Sequence, residues 1–231
     1  MSCSTAGCRF AAALGVLVAL TVGAAAAQAR ENFYLGLGMA QQTISSSDLD
    51  GNHIFLLVDF FGNPVGAILL ARPEDGSGLS AQIGYGFNEN IAIEALFSNT
   101  DHAAGMAGLS TNFPTELTST VLAVRLSVPL DKAEVFARLG RGSYTLKYQD
   151  NVVDLNLNPL GNTTLTGSGT AIGVGIELFF DALALELSIT QHKPSFDTID
   201  FGDSPTSLPG SIAADVQAVN LIFKWYAGTN K

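Results

Sequence analysis

Large apolar residues alternate with small, polar or charged residues along much of this chain. Residues 91–97 and 183–189 carry a large apolar side chain at nearly every second position. Alternation with period two places the two sets on opposite faces of a β-strand. Most predicted strands have one apolar face, and little helical periodicity remains to supply elements that would cover those faces. The pattern therefore predicts a sheet whose apolar face contacts lipid and whose polar face lines a closed barrel.

Eight long strands show this alternation, at residues 33–42, 78–87, 91–99, 118–130, 134–148, 167–179, 182–192 and 214–227. Tight turns follow the second, fourth and sixth strands, whereas the other connections have about 15–35 residues. Short turns at one end and long connections at the other are typical of outer-membrane barrels, which pair every backbone group without water. We expect an all-β fold, namely a closed, antiparallel, eight-stranded up-and-down transmembrane β-barrel.

The first long connection, at about residues 43–77, is an insertion with its own pattern. Two apolar runs, 54–61 and 65–70, flank the turn sequence Gly62-Asn63-Pro64 and predict a hairpin. The runs are short and alternate poorly, so we expect this hairpin in the first surface loop or packed at the barrel mouth. The alternative is that it joins the wall, which would give ten strands. An exposed apolar hairpin indicates a contact with a partner or with lipid.

The N-terminus has the features of a secretory signal peptide. Arg9 precedes an apolar stretch at residues 10–22, and Ala27-Gln28-Ala29 forms a cleavage motif. The apolar stretch is shorter than the ~20 residues of a spanning helix, which argues against an uncleaved anchor. We therefore expect a signal peptide at 1–29 and a barrel domain at 30–231. Both cysteines, Cys3 and Cys8, lie in the signal peptide, so the mature chain would have no disulfide.

Six of the predicted strands carry one charge each on the face opposite the apolar one: Glu94, Arg125, Arg138, Glu177, Glu186 and Lys224. A charge buried in a narrow lumen has to be paired. The predicted ion pairs are Glu94–Arg125, Arg138–Glu177 and Glu186–Lys224, with exchange of partners left open because register is not visible in a sequence. The alternative is that some of these residues lie near the water interface and are unpaired.

Arg141 departs from this pattern, because regular alternation points it away from the face that holds Arg138. Either a β-bulge at Gly140 or Gly142 turns it inward, or it lies above the membrane.

The overall charge argues against one class of function, the binding of nucleic acid. Only 14% of the residues are charged, against about 25% in an average soluble domain, and the net charge is −10. An acidic chain of this kind is not suited to nucleic acid, whose phosphates require cations. Most of the acids fall in the predicted connections and are interpreted as solvated loop residues. Weak binding of divalent cations is the alternative, but no calcium-loop motif supports it.

No arrangement of residues predicts catalysis. His53 and His102 fall in predicted connections and His192 ends a strand, so all three are expected to be exposed. His192 and Ser195 are similar to the histidine and serine of outer-membrane lipid A deacylases, but the close His-x-Ser spacing is absent. A base within hydrogen-bond reach of a nucleophile cannot be assembled from these residues. We predict no enzyme and no catalytic residue, cofactor or metal site.

The chain resembles the small outer-membrane β-barrel family that includes the OmpA transmembrane domain and OmpX. The resemblance rests on residues 33–38 (FYLGLG), 83–94 (IGYGFNENIAIE) and 135–140 (VFARLG). It implies a charged, mostly closed interior and insertion into the outer membrane by the barrel assembly machinery. In one departure, Phe223, Trp225 and Tyr226, which match the family's C-terminal aromatic signal, are followed by residues 227–231.

These observations favour an integral outer-membrane protein of a Gram-negative bacterium with a structural or cell-surface interaction role, exerted through long acidic loops. A narrow pore for small solutes is the alternative, followed by a lipid-modifying enzyme. Expected partners are outer-membrane lipid and lipopolysaccharide, the assembly machinery, and a surface partner of the hairpin at 54–71, but no nucleic acid.

Overall fold

The computed structural model describes residues 32–49, 53–58, 61–105, 112–201 and 205–227, and every regular element in these ranges is a β-strand. The strands are β1 (Asn32–Ser45), β2 (His53–Val58), β3 (Pro64–Leu70), β4 (Gly76–Gly86), β5 (Ile91–Gly105), β6 (Asn112–Pro129), β7 (Ala133–Asp154), β8 (Pro159–Phe180), β9 (Leu183–Asp200), β10 (Pro205–Ala213) and β11 (Asp215–Tyr226). No helix within these ranges is long and apolar enough to span a membrane. The predicted signal peptide lies outside the described residues.

Eight strands form a closed antiparallel ring in the order β1, β4, β5, β6, β7, β8, β9 and β11. The ring closes where β11 pairs with β1, which places Tyr34 opposite Tyr226 and Ser45 opposite Asp215. β10 pairs with the end of β9 and continues the line of β11. The predicted eight-stranded up-and-down barrel is therefore confirmed.

The predicted hairpin forms outside this ring, so the ten-stranded alternative does not occur. β2 pairs with β3, and Gly62 in the turn between them has a φ of 82°, a conformation that favours glycine. β3 in turn pairs with β7, where Gly66, Ala67 and Ile68 lie opposite residues 152–154. The hairpin thus lies at the end of the barrel opposite the short turns, which we call the outer end.

The strands continue much farther towards the outer end than the alternation predicts. β7 and β8 have 22 residues each, and only residues 155–158 separate them. Asp101, Glu116 and Asp197, which we expected in loops, lie in β5, β6 and β9. That expectation was wrong, and the acidic residues are carried mostly by extended sheet.

The outward face of the ring forms an apolar belt. Along β11 the outward residues Val219, Leu221, Phe223 and Trp225 are 41–66% exposed, while Asn220, Ile222, Lys224 and Tyr226 between them are buried. The same alternation exposes Leu35, Leu37, Leu79, Ile83, Ile93, Phe97, Leu122, Val124, Leu126, Ile172, Leu183 and Leu187. A soluble monomer rarely exposes a contiguous apolar patch above a few hundred Å². A continuous belt of this kind requires hydrocarbon around it.

Small residues on the inward face make room for large ones. Gly84 lies against the ring of Tyr34, and Gly175 lies against the ring of Phe136, so closely that a Cβ atom at either glycine would overlap the aromatic carbons. These close approaches let bulky side chains fill a narrow lumen. Side chains therefore pack tightly in the lumen beside Gly84 and beside Gly175.

Candidate functional site: a charged lumen beneath an apolar plug

All six charges singled out in the sequence project into the lumen, and each of their side chains is at most 2% exposed. They come from β5, β6, β7, β8, β9 and β11, on the face opposite the apolar belt. Together with Glu134 they form a network in the half of the lumen near the short turns. We call this group the charged tier: Glu94, Arg125, Glu134, Arg138, Glu177, Glu186 and Lys224.

Arg125 occupies the centre of the charged tier. Its Nη1 atom lies 3.2 Å from Glu94 Oε1 and 3.3 Å from Glu186 Oε2. Its Nη2 atom lies 2.7 Å from Glu177 Oε2 and also contacts Glu134. The ring of Phe136 packs against the guanidinium, with its centroid 3.7 Å from Cζ. One cation thus joins carboxylates from four wall strands, which crosslinks the barrel through its interior.

Arg138 makes a two-pronged contact with a single carboxylate. Nη1 and Nη2 donate to the two carboxylate oxygens of Glu186, each over 3.0 Å, and Nε lies 3.0 Å from Glu94 Oε2. The expected partner Glu177 is not among its ion pairs within the described residues. The register explains this, because Arg138 lies opposite Gly173, four residues along β8 from Glu177.

Lys224 completes the tier from β11. Its Nζ atom lies 2.6 Å from Glu186 Oε2 and 2.8 Å from Glu177 Oε2. The structure therefore contains the expected contacts Glu94–Arg125 and Glu186–Lys224 and replaces Arg138–Glu177 with Arg138–Glu186 and Arg138–Glu94.

Neutral donors balance an excess of carboxylate. The tier has four glutamates against three cations, because Glu134 also contacts Arg125. Tyr34 and Gln82 each donate to Glu94 Oε1 over 2.5 Å, and Tyr226 donates to Glu177 Oε1 over 2.5 Å. Our sequence reasoning did not assign these residues to the charged network. The signal was available, since Glu134 shares the inward parity of Arg138, and Tyr226 shares that of Lys224.

The histidines do not lie where the sequence suggested. His102 is buried in β5, where Nδ1 lies 2.8 Å from the Glu74 carbonyl and Nε2 lies 2.9 Å from Thr100 Oγ1. His192 is buried in β9, with Nδ1 3.0 Å from the Tyr144 hydroxyl. The expectation that both are exposed was wrong. His192 also lies three residues from Ser195 in a strand, so the two residues point to opposite faces of the sheet.

The outer half of the lumen contains a cluster of buried apolar residues, which we call the apolar plug, beside buried polar residues such as Gln42, Thr100 and Thr163. Ile68, Leu69, Leu70 and Ala71, from the end of the hairpin, are at most 4% exposed. They belong to one cluster with wall residues that include Phe113, Leu117, Leu146, Tyr148, Leu165 and Phe196. The hairpin's backbone is also tied to the wall, since Tyr148 Oη donates to the Ala71 carbonyl over 2.8 Å and Asn151 Nδ2 donates to the Leu69 carbonyl over 2.9 Å.

The other strand of the hairpin, β2, is exposed. Ile54, Phe55 and Leu56 in β2 are all more than half exposed. β2 is also the last strand of its sheet, and within the described ranges it pairs only with β3. One part of the insertion therefore closes the barrel mouth, and another presents an apolar edge strand outside it.

A closed ring with an apolar belt and a charge-paired interior defines an outer-membrane β-barrel. A sequence model described as "Outer membrane protein beta-barrel domain" matches residues 12–207, and the chain belongs to this family. The protein is therefore placed in the outer membrane of a Gram-negative bacterium, in contact with its lipid.

Solved structures agree on the fold. The chain is similar to the outer membrane protein OprG from Pseudomonas aeruginosa, with 14% identity, a TM-score of 0.54, and coverage of 86% of this chain and 97% of OprG. It is also similar to Neisserial surface protein A, with 10% identity, a TM-score of 0.53, and coverage of 86% and 98%. None of the curated protein sequences searched matches the chain. At these identities the likeness concerns the fold alone.

Proposed function

We propose that this protein is a closed scaffold that presents the β2–β3 hairpin and an acidic outer rim for contacts at the cell surface. The observation that carries this proposal is the filling of the lumen at two levels. The charged tier leaves its six predicted ions at most 2% exposed, and the apolar plug fills the space beyond it. A solute path would have to pass both levels, which disfavours the pore reading.

In this proposal the charged tier is a structural lock. Each of its cations contacts carboxylates from at least two strands. Removing one partner would leave a buried charge uncompensated, which costs about 3–5 kcal/mol. A lock of this kind holds the wall in one register and so fixes the position of everything displayed at the outer end.

The outer rim supplies the contact surface. The outer ends of the strands and their connections carry Asp48, Glu74, Asp75, Asp101, Glu116, Asp150, Asp154, Asp197, Asp200 and Asp215, against Arg72, Arg141, Lys147 and Lys193. The exposed strand β2 adds unshielded apolar side chains to this acidic surrounding. Exposed apolar edge strands commonly mark a binding partner.

We also propose that residues 1–29 are a signal peptide and that the assembly machinery inserts the barrel.

Conductance separates the scaffold from the pore. The full barrel, reconstituted in planar bilayers, should give no current above that of an empty bilayer. A second sample, in which Ile68, Leu69 and Leu70 are replaced by serine, tests whether loosening the plug alone opens a path. Steady single-channel currents from the unaltered protein would overturn the scaffold reading.

Labelling of intact cells tests the display of the hairpin. The only cysteines, Cys3 and Cys8, lie in the predicted signal peptide, so a single engineered cysteine provides an unambiguous site. Leu56→Cys should react with a membrane-impermeant maleimide on whole cells, because Leu56 is 66% exposed at the outer end. Ala40→Cys, which faces the lumen and is 2% exposed, is the matched control and should stay unlabelled. Equal labelling of both variants would contradict the arrangement.

A further inference from the structure

Arg141 and Lys193 are cations on the outward face of the barrel. Arg141 on β7 and Lys193 on β9 are both exposed, and no carboxylate among the described residues lies within ion-pair distance of either. The register of β7 runs unbroken from residue 134 to 148, so no bulge turns Arg141 inward. The suggestion of a bulge at Gly140 or Gly142 was therefore wrong. The lumen cations are each paired with several carboxylates, whereas Arg141 and Lys193, like Lys147 farther along β7, make no ion pair within the described residues.

The two side chains lie in one row across three adjacent strands. Arg141 lies opposite Thr170 on β8, and Thr170 lies opposite Lys193 on β9. Neighbouring strands are about 4.8 Å apart, so the two cations are separated by about 10 Å at the backbone. Side chains of this length can converge on one anion, and the Thr170 hydroxyl between them is a further donor.

The surface below this row is apolar except at Gln191 on β9, which lies opposite Ile172. Leu139 and Ile172 lie two residues nearer the short turns than Arg141 and Thr170, and Ile189 lies four residues nearer than Lys193, all on the same outward face. The row therefore marks the upper boundary of the apolar belt, where hydrocarbon gives way to lipid headgroups. A cation is tolerated at this boundary, whereas one at the middle of the membrane is destabilising.

The rest of the boundary has no such feature. On the other strands, the first outward residues above the belt are uncharged: Gln41, Ser77, Asn99, Thr120 and Gln217. Two carboxylates lie near these cations: Asp215 on β11 follows the Val216–His192 pair and so lies beside Lys193, and Glu116 lies opposite Lys147. In a chain with a net charge of −10, the β7–β9 row is a local cationic site surrounded by neutral and acidic residues.

We infer that Arg141, Thr170 and Lys193 form a binding site for a phosphate group of lipopolysaccharide in the outer leaflet. The acyl chains of the same molecule would pack on Leu139, Ile172 and Ile189 beneath it. Guanidinium and ammonium groups form charge-assisted hydrogen bonds with phosphate oxygens. This inference is independent of the surface-contact role proposed above, because it concerns the lipid-facing wall and not the hairpin.

Binding of purified lipopolysaccharide to the full detergent-folded protein tests the site. Arg141→Gln and Lys193→Gln should each weaken binding about fivefold, and the double variant about thirtyfold, since one basic residue near a charged lipid surface contributes about 1 kcal/mol. Lys132→Gln, in a turn at the opposite end of the barrel, removes the same charge and should have no effect. Heat-modifiable gel mobility verifies that each variant is folded.

Two arms use the unaltered protein and so do not depend on the variants. Lipopolysaccharide whose lipid A phosphates have been removed should bind at least tenfold more weakly than the parent lipid. Inorganic phosphate alone should not compete at concentrations that saturate the lipid site. The inference is overturned if the double variant binds like the unaltered protein, if the dephosphorylated lipid binds equally well, or if free phosphate competes fully.

Discussion

Near the short turns, Arg125, Arg138 and Lys224 cross the lumen to four glutamates, whereas towards the outer end the same wall encloses Leu70, Leu146 and Phe196. The charged tier is built entirely from wall residues and fixes geometry by directed contacts. The apolar plug needs an inserted hairpin and holds it by packing, supported by a few hydrogen bonds to its backbone. The barrel thus has directional ion pairs where wall residues alone occupy the lumen. It has non-directional apolar packing where the hairpin docks against the wall.

The difference has an energetic consequence. A buried ion network fails sharply when one member is lost, because the remaining charges stay in a low-dielectric space. An apolar core loses transfer free energy in proportion to the atoms removed and can partly relax around the gap. Substitutions in the charged tier and in the plug should therefore differ in how much unfolding free energy they remove. They should also differ in how much of that loss a conservative replacement avoids.

The largest effect is expected from Glu186→Ala. Glu186 contacts Arg125, Arg138 and Lys224, so its removal weakens the pairing of all three cations and takes from Arg138 the carboxylate that it contacts with both Nη atoms. The free energy of unfolding should fall by about 3–5 kcal/mol. Urea unfolding of the detergent-folded barrel, followed by tryptophan fluorescence and gel mobility, measures the change.

Two further variants make that experiment specific. Glu186→Gln keeps the shape of the side chain and some hydrogen bonds but removes the charge, and it should lose nearly as much stability. Asp101→Ala removes an exposed carboxylate from the outward face of β5 and should change stability by less than about 0.5 kcal/mol. Equal unfolding midpoints for Glu186→Ala and Asp101→Ala would refute the lock.

The plug should respond to Leu70→Ala with a smaller loss. Leu70 is 1% exposed and lies in the same cluster as Leu146 and Leu165. Truncation of a buried leucine costs about 2–5 kcal/mol, and the lower part of this range is expected because a docked hairpin can relax. Leu56→Ala, on the exposed strand of the same hairpin, is the control and should be nearly neutral. Equal losses for the two leucines would mean that the hairpin does not seal the mouth.

The alternation predicted the wall well because a strand in a membrane has one strict requirement, an apolar side chain at every second position. It also placed the six charges on the inward face without any knowledge of register. The alternation could not predict the partner of Arg138, because a contact between strands depends on their register. In the observed register, Glu177 lies four residues from the position opposite Arg138.

The outer ends of the strands were missed for a different reason. Above the membrane, both faces of β6 and β8 carry threonine, as at Thr115, Thr118, Thr163 and Thr164, so the alternation disappears although the backbone stays extended. Threonine is itself a good strand former, and that propensity was the remaining signal. The plug was obscured because both strands of the hairpin are apolar without alternation: the end of β3 is buried on both faces, whereas residues 54–56 of β2 are exposed on both faces.

A still smaller effect should come from steric crowding beside the charged tier. Gly84→Ala would push a methyl group into the ring of Tyr34, whose hydroxyl donates to Glu94. Overpacking of this kind costs about 1–3 kcal/mol. Gly161→Ala is the matched control, because no atom lies within 4 Å of where its Cβ would be. If the two alanines have the same effect on the unfolding midpoint, Tyr34 is not held as tightly as the tier requires.

The smallest effect on stability is expected at the outer rim, which is in contact with water and contains neither the charged tier nor the apolar plug. The carboxylate of Asp154, at the end of β7, accepts hydrogen bonds from the side chain of Asn158 at 2.9 Å, from its backbone N–H at 2.9 Å and from the Asn156 N–H at 2.7 Å. These bonds, with the Asn158 side chain first, hold the pKa of Asp154 below its ordinary value. The turn is thus stabilised at pH values above that ordinary pKa, and the contribution is lost as the pH falls through the lowered pKa.

Asn158→Ala should raise the pKa of Asp154 in an NMR titration of the carboxyl carbon. Asn162→Ala, which removes an acceptor for the Asp150 N–H, is the control and should leave the pKa of Asp154 unchanged. Because Asp154 lies at the rim and is only half-buried, neither variant should shift the unfolding midpoint as far as the substitutions in the charged tier and the plug. A large shift would show that the rim also contributes to the stability of the barrel.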